Sequence, residues 1–368
     1  MNSNNQEQSS GKDSTNMQAG GDITQVGRDN ITVVNQYPDI KSIEIMARGF
    51  ISTMFPYTEN AFNKLNLNTM TFLARLNTEL EKLSPEELNR FSEVDVQITL
   101  RSAIYSAAKK SAPKIQAILT RLMLDRVQQA ARPIVELVVD ESINIISKLD
   151  ENLIKILSLS FMFSRTKDGG ISDLEALFEK LGYVANHFND IEVSLSRFEY
   201  LEAISCGKLQ LFLSNSLINI ISSAYSNLFL NKITELELIN LDIPDHIKKM
   251  VFIKKENNMF ELDSVIALYI FQNQTIYHAV NGSKTTEVVV IDEANKKKIT
   301  EFCAKYKMPL DEINSLLSSN INNFENIVKL WDSNGFSNFS LTAVGIAIGR
   351  TYLEQENFGN YKIDNWIK

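Results

Sequence analysis

The chain has 368 residues, of which 44% are hydrophobic, and its net charge is -8 with an isoelectric point near 5.2. This length and apolar content exclude a disordered protein and predict two domains plus a tail. The negative charge excludes a general attraction to nucleic acid or anionic lipid, although it leaves a local basic surface open.

The first predicted elements lie in an N-terminal segment of turns and short strands. Residues 1–15 are almost wholly polar, which predicts a disordered tail. In residues 16–37, two turns rich in glycine and aspartate each precede β-branched strand formers. The turns contain Gly20, Gly21, Asp22, Gly27 and Asp29, and the strands contain Ile23, Ile31 and Val33. Because so short a unit cannot form an independent sheet, these eight residues are predicted to form an oligomerisation segment by edge-to-edge pairing.

Residues 38–240 have the apolar spacing of helices and are predicted to form a helical domain. Ser84-Pro85-Glu86-Glu87 combines a capping box with proline at the first helical position. Pro113 and Pro133 stand where one helix can end and the next begin, and Asp150 is a predicted N-cap. We therefore expect a packed array of antiparallel helices up to about residue 239.

Residues 241–368 change character and are predicted to form a mixed α/β, winged-helix-like module. One hairpin is expected around Asn257-Asn258 and a second around Asn281-Gly282, since strand formers flank both turns. A strand ending at Leu341 is expected to lead into a helix that Thr342 caps. The predicted fold class is mainly α: a multi-helix body with a short N-terminal strand and turn tail and this C-terminal module.

Residue types typical of catalysis or metal binding are sparse. His187, His246 and His278 lie far apart, and none has a cysteine or an acidic residue at metal-ligand spacing. Cys206 and Cys303 lie in apolar, helix-like stretches without the basic neighbours that lower a thiol pKa. We therefore predict no enzymatic activity, no metal and no cofactor.

The same features predict a cytoplasmic location. Two cysteines suit a reducing compartment, and no leader with a charged start and an apolar centre is visible. No apolar run reaches the roughly 18 residues that a stable membrane span needs.

Basic residues gather in two places. The first cluster contains Arg101, Lys109, Lys110, Lys114, Arg121 and Arg126, and the second is Lys296-Lys297-Lys298. Most such clusters are solvated helix faces. Together with a winged-helix-like order of elements, however, they leave a nucleic-acid-binding regulator as the alternative function, one that the negative net charge disfavours.

Gly345 and Gly349 mark a predicted packing seam. They are four residues apart, so they share one face of the last predicted helix and leave that face almost without side chains. We expect another element to approach this face closely.

Two parts of the sequence resemble a known bacterial family. Residues 130–137, Ala-Ala-Arg-Pro-Ile-Val-Glu-Leu, and residues 145–157 are similar to the central helical segment of abortive-infection alpha (Abi-alpha) proteins. Residues 339–349 are similar to the C-terminal Leu-Thr-x-x-Gly segment of those proteins. The Gly-Gly-Asp-rich tail, taken with that ending, is more like an uncharacterised bacterial family.

The resemblance implies antiviral defence by abortive infection and no catalytic residue. Combined with the predicted strands, it leads us to expect a cytoplasmic, non-enzymatic bacterial protein that forms a homo-oligomer. A protein partner or a phage-derived trigger would complete such a system.

Overall fold

The computed structural model describes residues 39–54, 58–128, 132–171, 173–210, 214–263, 266, 270, 291–333 and 335–367, and the backbone of four further strands. The chain divides into two compact units, Met1–Glu136 and Leu137–Lys368. Sixteen helices and few short strands lie in the described part, so the predicted mainly α fold class is confirmed. The division at residue 240 stays a prediction.

The first unit contains a hairpin and five helices within its described residues, and a sixth helix begins in it. Strands β1 (Ile23–Val26) and β2 (Ile31–Val34) pair antiparallel, with Ile23 opposite Val34. The helices are α1 (Ile40–Ser52), α2 (Glu59–Leu80), α3 (Pro85–Asn89), α4 (Val94–Lys109), α5 (Pro113–Gln128) and α6 (Pro133–Ile146). A 3-10 turn, Arg90–Ser92, joins α3 to α4.

Predicted signals set the helix starts in this unit. The Ser84 hydroxyl accepts a hydrogen bond from the Glu87 N–H, and the Glu87 carboxylate accepts one from the Ser84 N–H, so the capping box is confirmed. Helices α5 and α6 begin at Pro113 and Pro133, as expected from proline's fixed φ.

In the described part of the second unit, helices with described bounds alternate with very short strands. The helices are α7 (Glu151–Arg165), α8 (Leu174–His187), α9 (Leu195–Ala203), α10 (Leu217–Ala224), α11 (Glu235–Ile239), α12 (Asp245–Val251), α13 (Glu293–Ala304), α14 (Leu310–Asn320), α15 (Phe324–Ser333) and α16 (Ala343–Gln355). Asp150 caps α7 by accepting from the Leu153 N–H, as predicted. Within the described ranges, no helix combines the length and hydropathy needed to cross a membrane.

The described strands of the second unit form three small antiparallel sheets. β3 (Gly207–Leu209) pairs with β9 (Phe339–Leu341), and β7 (Tyr277–Ala279) pairs with β8 (Thr286–Val288). β4 (Ile233–Thr234), β5 (Phe252–Lys254) and β6 (Met259–Leu262) form a sheet in the order β4-β6-β5. Further 3-10 turns are Glu256–Asn258, Phe336–Asn338 and Ile363–Asn365.

These strands confirm some expectations and correct others. Strand pairs flank both predicted hairpin turns, and Asn257 and Asn258 adopt positive φ angles of 57° and 55°. The expectation of helices up to about residue 239 is wrong, because β3 and β4 interrupt them. Each strand is two or three residues long and pairs with a distant segment, so local spacing does not reveal it.

The mixed α/β part encloses a core of its own between the β4-β6-β5 sheet and helices α11 to α13. Its buried side chains are those of Ile233, Leu238, Leu241, Ile243, Ile247, Val251, Phe252, Ile266, Ile270, Ile291, Ile299, Phe302 and Cys303. Aliphatic and aromatic burial therefore stabilises this part.

The predicted seam on α16 is confirmed, but its two glycines meet different elements. A Cβ atom at Gly349 would lie 2.7 Å from the carbonyl oxygen of Leu157 on α7, and one at Gly345 would overlap the carbonyl oxygen of Cys206. Thr342 caps α16, since its hydroxyl accepts from the Gly345 N–H at 3.3 Å. Backbone-to-backbone contact thus fixes α16 against α7 and against the start of β3.

Candidate functional site

The predicted oligomerisation segment is described in part. Ile23, Ile31 and Val33 lie in β1 and β2, while the predicted turn residues Gly20, Gly21, Asp22, Gly27 and Asp29 lie outside the described residues. Among the described residues, β1 and β2 pair only with each other, so each strand has one unpaired edge. A two-stranded hairpin is at best marginally stable alone.

Both cysteines are free and buried. Cys206 lies between α9 and β3, not within a helical stretch as expected, and Cys303 lies in α13. Burial raises the pKa of each thiol to about 12, so both keep their protons at neutral pH. Among the described residues, no group of three or more His, Cys, Asp or Glu side chains could hold a metal ion.

His187 packs inside a cluster of aromatic rings. Its Nε2 atom lies 3.1 Å from the Tyr352 hydroxyl and 3.7 Å from a Glu356 carboxylate oxygen. Phe188 and Phe358 contact the imidazole edge to face, with ring centres 4.8 and 5.0 Å away. Through these contacts, His187 of α8 packs against the end of α16 and the segment that follows it. His246 is exposed.

Carboxylates accompany most members of the two basic clusters. Arg126 Nη2 lies 2.5 Å from Asp95 Oδ2, and Arg121 Nε lies 3.4 Å from Asp125 Oδ1. In the second cluster, the partners of Lys296, Lys297 and Lys298 are Glu293, Glu301 and Asp242, at 3.9, 3.9 and 2.7 Å. These pairs stabilise the helices and lower the net positive charge at each site.

A cleft of about 240 Å³ opens in the second unit. The end of α7, the loop after it, α8, α10 and the segment after α16 form its walls. The apolar lining includes Met162, Phe163, Leu181, Val184, Ile221 and Ala224. Such a cavity is smaller than the roughly 300–1,000 Å³ of drug-sized sites, so it suits a small ligand.

Five ionisable side chains also line the cleft. Lys180 Nζ lies 3.7 Å from Asp168 Oδ2 and donates to the Phe358 carbonyl at 3.0 Å. The Tyr225 hydroxyl accepts from the Asp168 N–H at 3.2 Å, and the Tyr361 hydroxyl donates to the Phe358 carbonyl at 3.3 Å. Lys167 Nζ lies 6.0 Å from the centre of the Tyr225 ring and forms no ion pair with a carboxylate in the described part of the chain.

Partial burial shifts the pKa of three of these groups. It lowers the pKa of Lys167, because the charged ammonium loses solvation against the cleft. It raises the pKa of Tyr225, and the charge of Asp168 adds to that rise. It raises the pKa of Tyr361 to about 12, again with a contribution from Asp168. Both phenols are therefore protonated at neutral pH and can donate a hydrogen bond.

The cleft was not predicted from the sequence. The glycines of Gly169-Gly170 mark its loop, and this was the available signal. The other walls come from elements far apart along the chain, as in the bond between Lys180 and the Phe358 carbonyl, which spans 178 positions.

Fold and site together define a mainly α protein with a mixed α/β part and a small apolar cleft edged by cations. Residues 39–367 match the model of one protein family, for which no activity is stated. Since the match covers most of the chain, the chain belongs to this family. No curated protein and no solved structure matches the chain.

Proposed function

We propose that this protein is a non-enzymatic, cytoplasmic component of bacterial defence against phage that self-associates through its N-terminal hairpin. The observation that carries the self-association is the β1–β2 pair, in which each strand has one unpaired edge among the described residues.

The backbone chemistry of these edges supports pairing between copies. Each strand residue has one N–H and one C=O group, and an edge without partners is a ready template for another strand. A second copy presents the same edges in the same register, so identical strands can pair in a symmetric, closed assembly.

The segments that resemble Abi-alpha proteins support the defence proposal. Residues 145–157 run from the end of α6 into α7, and residues 339–349 run from β9 into α16. They meet where Gly349 approaches Leu157. The resemblance thus covers two segments that form one packing unit, which favours a shared scaffold over chance similarity of separate helices.

Plaque counts on bacteria that express the protein test this proposal. Three forms are compared at equal protein level: the full chain, a deletion of residues 1–36, and a deletion of residues 1–15 as the matched control that keeps both strands. We expect fewer plaques with the full chain and with the control, and loss of protection when the hairpin is removed.

Two results would count against it. Unchanged plaquing across a broad phage panel contradicts the defence role. Full protection by the form lacking residues 1–36 contradicts the need for the hairpin.

A further inference from the structure

We propose that the cleft of the second unit binds a small amphiphilic oxyanion, with its apolar body inside the cleft and its carboxylate or phosphate group at Lys167. This inference is independent of the hairpin and of the defence role.

The apolar side chains in the walls of the cleft favour a ligand with an apolar body. Phe163, Leu181 and Ile221 come from three different helices and present side chains without hydrogen-bonding groups. Water that lies against these three side chains finds no hydrogen-bond partner on them, so an apolar group replaces it favourably there.

The charged side chains of the cleft favour an anionic ligand. The described lining contains two ammonium groups, those of Lys167 and Lys180, and one carboxylate, that of Asp168, which together carry one net positive charge. Asp168 lies on the Lys180 side, where its Oδ2 is 3.7 Å from Nζ. The uncompensated charge is therefore that of Lys167, which is also the more exposed of the two lysines.

Tyr225 supplies a second donor, and its ring centre lies 6.0 Å from Lys167 Nζ. The Tyr225 hydroxyl accepts from the Asp168 backbone, which leaves its own proton available. An ammonium and a phenol O–H near one loop can together satisfy two oxygens of a carboxylate or phosphate, and such charge-assisted bonds are the strong ones. Because Lys167 is exposed, the ionic group stays near solvent while the apolar body is buried.

Titration of the full-length protein with octanoate, octyl phosphate and 1-octanol tests the proposal. The three probes share one tail, so differences between them report the head group. We expect at least one of the two anions to bind about tenfold more tightly than the alcohol, as one charge-assisted contact provides. Comparison of octanoate with octyl phosphate then identifies the preferred oxyanion.

Three variants locate the binding. Lys167→Met should remove the roughly tenfold preference for the anion, because it keeps an apolar stem but no charge. Lys208→Met is the matched control: Lys208 is exposed on β3, lies outside the cleft and should change nothing. Ala224→Phe should block all three probes by filling the cleft. Thermal unfolding of each variant checks that it is folded.

Equal binding of octanol and both anions would overturn the proposal, as would no binding of either anion. Anion binding that survives both Lys167→Met and Ala224→Phe in folded protein would place the site elsewhere and would also overturn it.

Discussion

Two regions of the molecule differ in whether their cations are paired. One is an ion network in the first unit, formed by Arg90 and Arg126 with Glu93, Asp95 and Glu136, and the other is the cleft of the second unit. In the network, Arg90 and Arg126 are 11% and 1% exposed and lie against carboxylates. Glu136 serves both, with its Oε1 atom 2.8 Å from Arg90 Nη2 and 3.5 Å from Arg126 Nη1. In the cleft, Lys180 lies 3.7 Å from the Asp168 carboxylate, whereas Lys167 has no carboxylate partner among the described residues.

The paired arginines of the network support folding, whereas the unpaired charge of Lys167 is available for binding. A buried cation needs its partners, because removing one partner leaves a charge without solvent or counterion. An exposed cation without a carboxylate partner, at the edge of the cleft, keeps its capacity to bind an external anion. The comparison therefore predicts where mutations will affect stability and where they will affect binding alone.

The largest effect on stability is expected from Gly345→Leu in the second unit. A Cβ atom there would already overlap the Cys206 carbonyl oxygen, a backbone atom that can move only if the chain around it shifts. Overpacking of this kind costs about 3 kcal/mol of unfolding free energy. Urea denaturation measures it, and an unchanged midpoint would show that the seam is not required.

Gly182→Ala is the matched control for that substitution. Gly182 lies within α8, and its added Cβ would meet Ile321 Cγ2 at an ordinary 3.7 Å. Because alanine favours helix over glycine, we expect a gain of about 0.5–1 kcal/mol.

A smaller loss is expected from Glu136→Ala in the first unit. The substitution removes the shared carboxylate, but Arg126 keeps Asp95 and Arg90 keeps Glu93 at 3.1 Å. We therefore expect about 2 kcal/mol of destabilisation, below the full penalty for an unpaired buried charge. If Glu136→Ala unfolds at the same urea concentration as wild type, the network does not support the fold.

Acid should weaken the first unit through Asp95. Burial raises the pKa of this carboxyl, but the hydrogen bond from Arg126 and other contacts outweigh it, so the pKa lies below 3.8. A lowered pKa means stabilisation that is present above about pH 4 and lost as pH falls through the folded-state value. The effect is modest, because 58% of the side chain is exposed and solvent screens the pair.

The measurement is unfolding free energy against pH for wild type and Asp95→Asn. We expect the two curves to differ at pH 7 and to converge as the pH falls from about 4 through the lowered folded-state pKa of Asp95. A constant difference at every pH would show that ionisation of Asp95 is not the cause.

The smallest effect is expected from Lys167→Met, which should leave unfolding free energy within about 0.5 kcal/mol of wild type. Lys167 forms no ion pair with a described carboxylate, so its removal leaves no charge unmatched. A loss comparable to that of Glu136→Ala, measured by the same urea titration, would contradict the contrast between network and cleft.

Local signals predicted the helix starts, and nonlocal contacts explain what the sequence did not predict. The capping box at Ser84 and the N-cap Asp150 act within four residues, so their sequences suffice. Strand β3 owes its form to β9, as in the bond between Ser340 and the Lys208 carbonyl across 132 positions. The cleft arises in the same way, because segments far from Lys167 and Lys180 in sequence form most of its walls. The sequence around each lysine therefore does not reveal that it lines a cleft.

Light scattering measures whether the chain self-associates through its N-terminal hairpin. The full chain and the form lacking residues 1–36 are compared at equal concentration. Asp39, which caps α1 by accepting from the Ser42 N–H at 2.8 Å, is retained in both forms. We expect the full chain to form an oligomer and the truncated form to be smaller, with its helical circular dichroism intact. Equal protomer numbers would contradict the claim, and an unfolded truncation would show that the hairpin packs on its own chain instead.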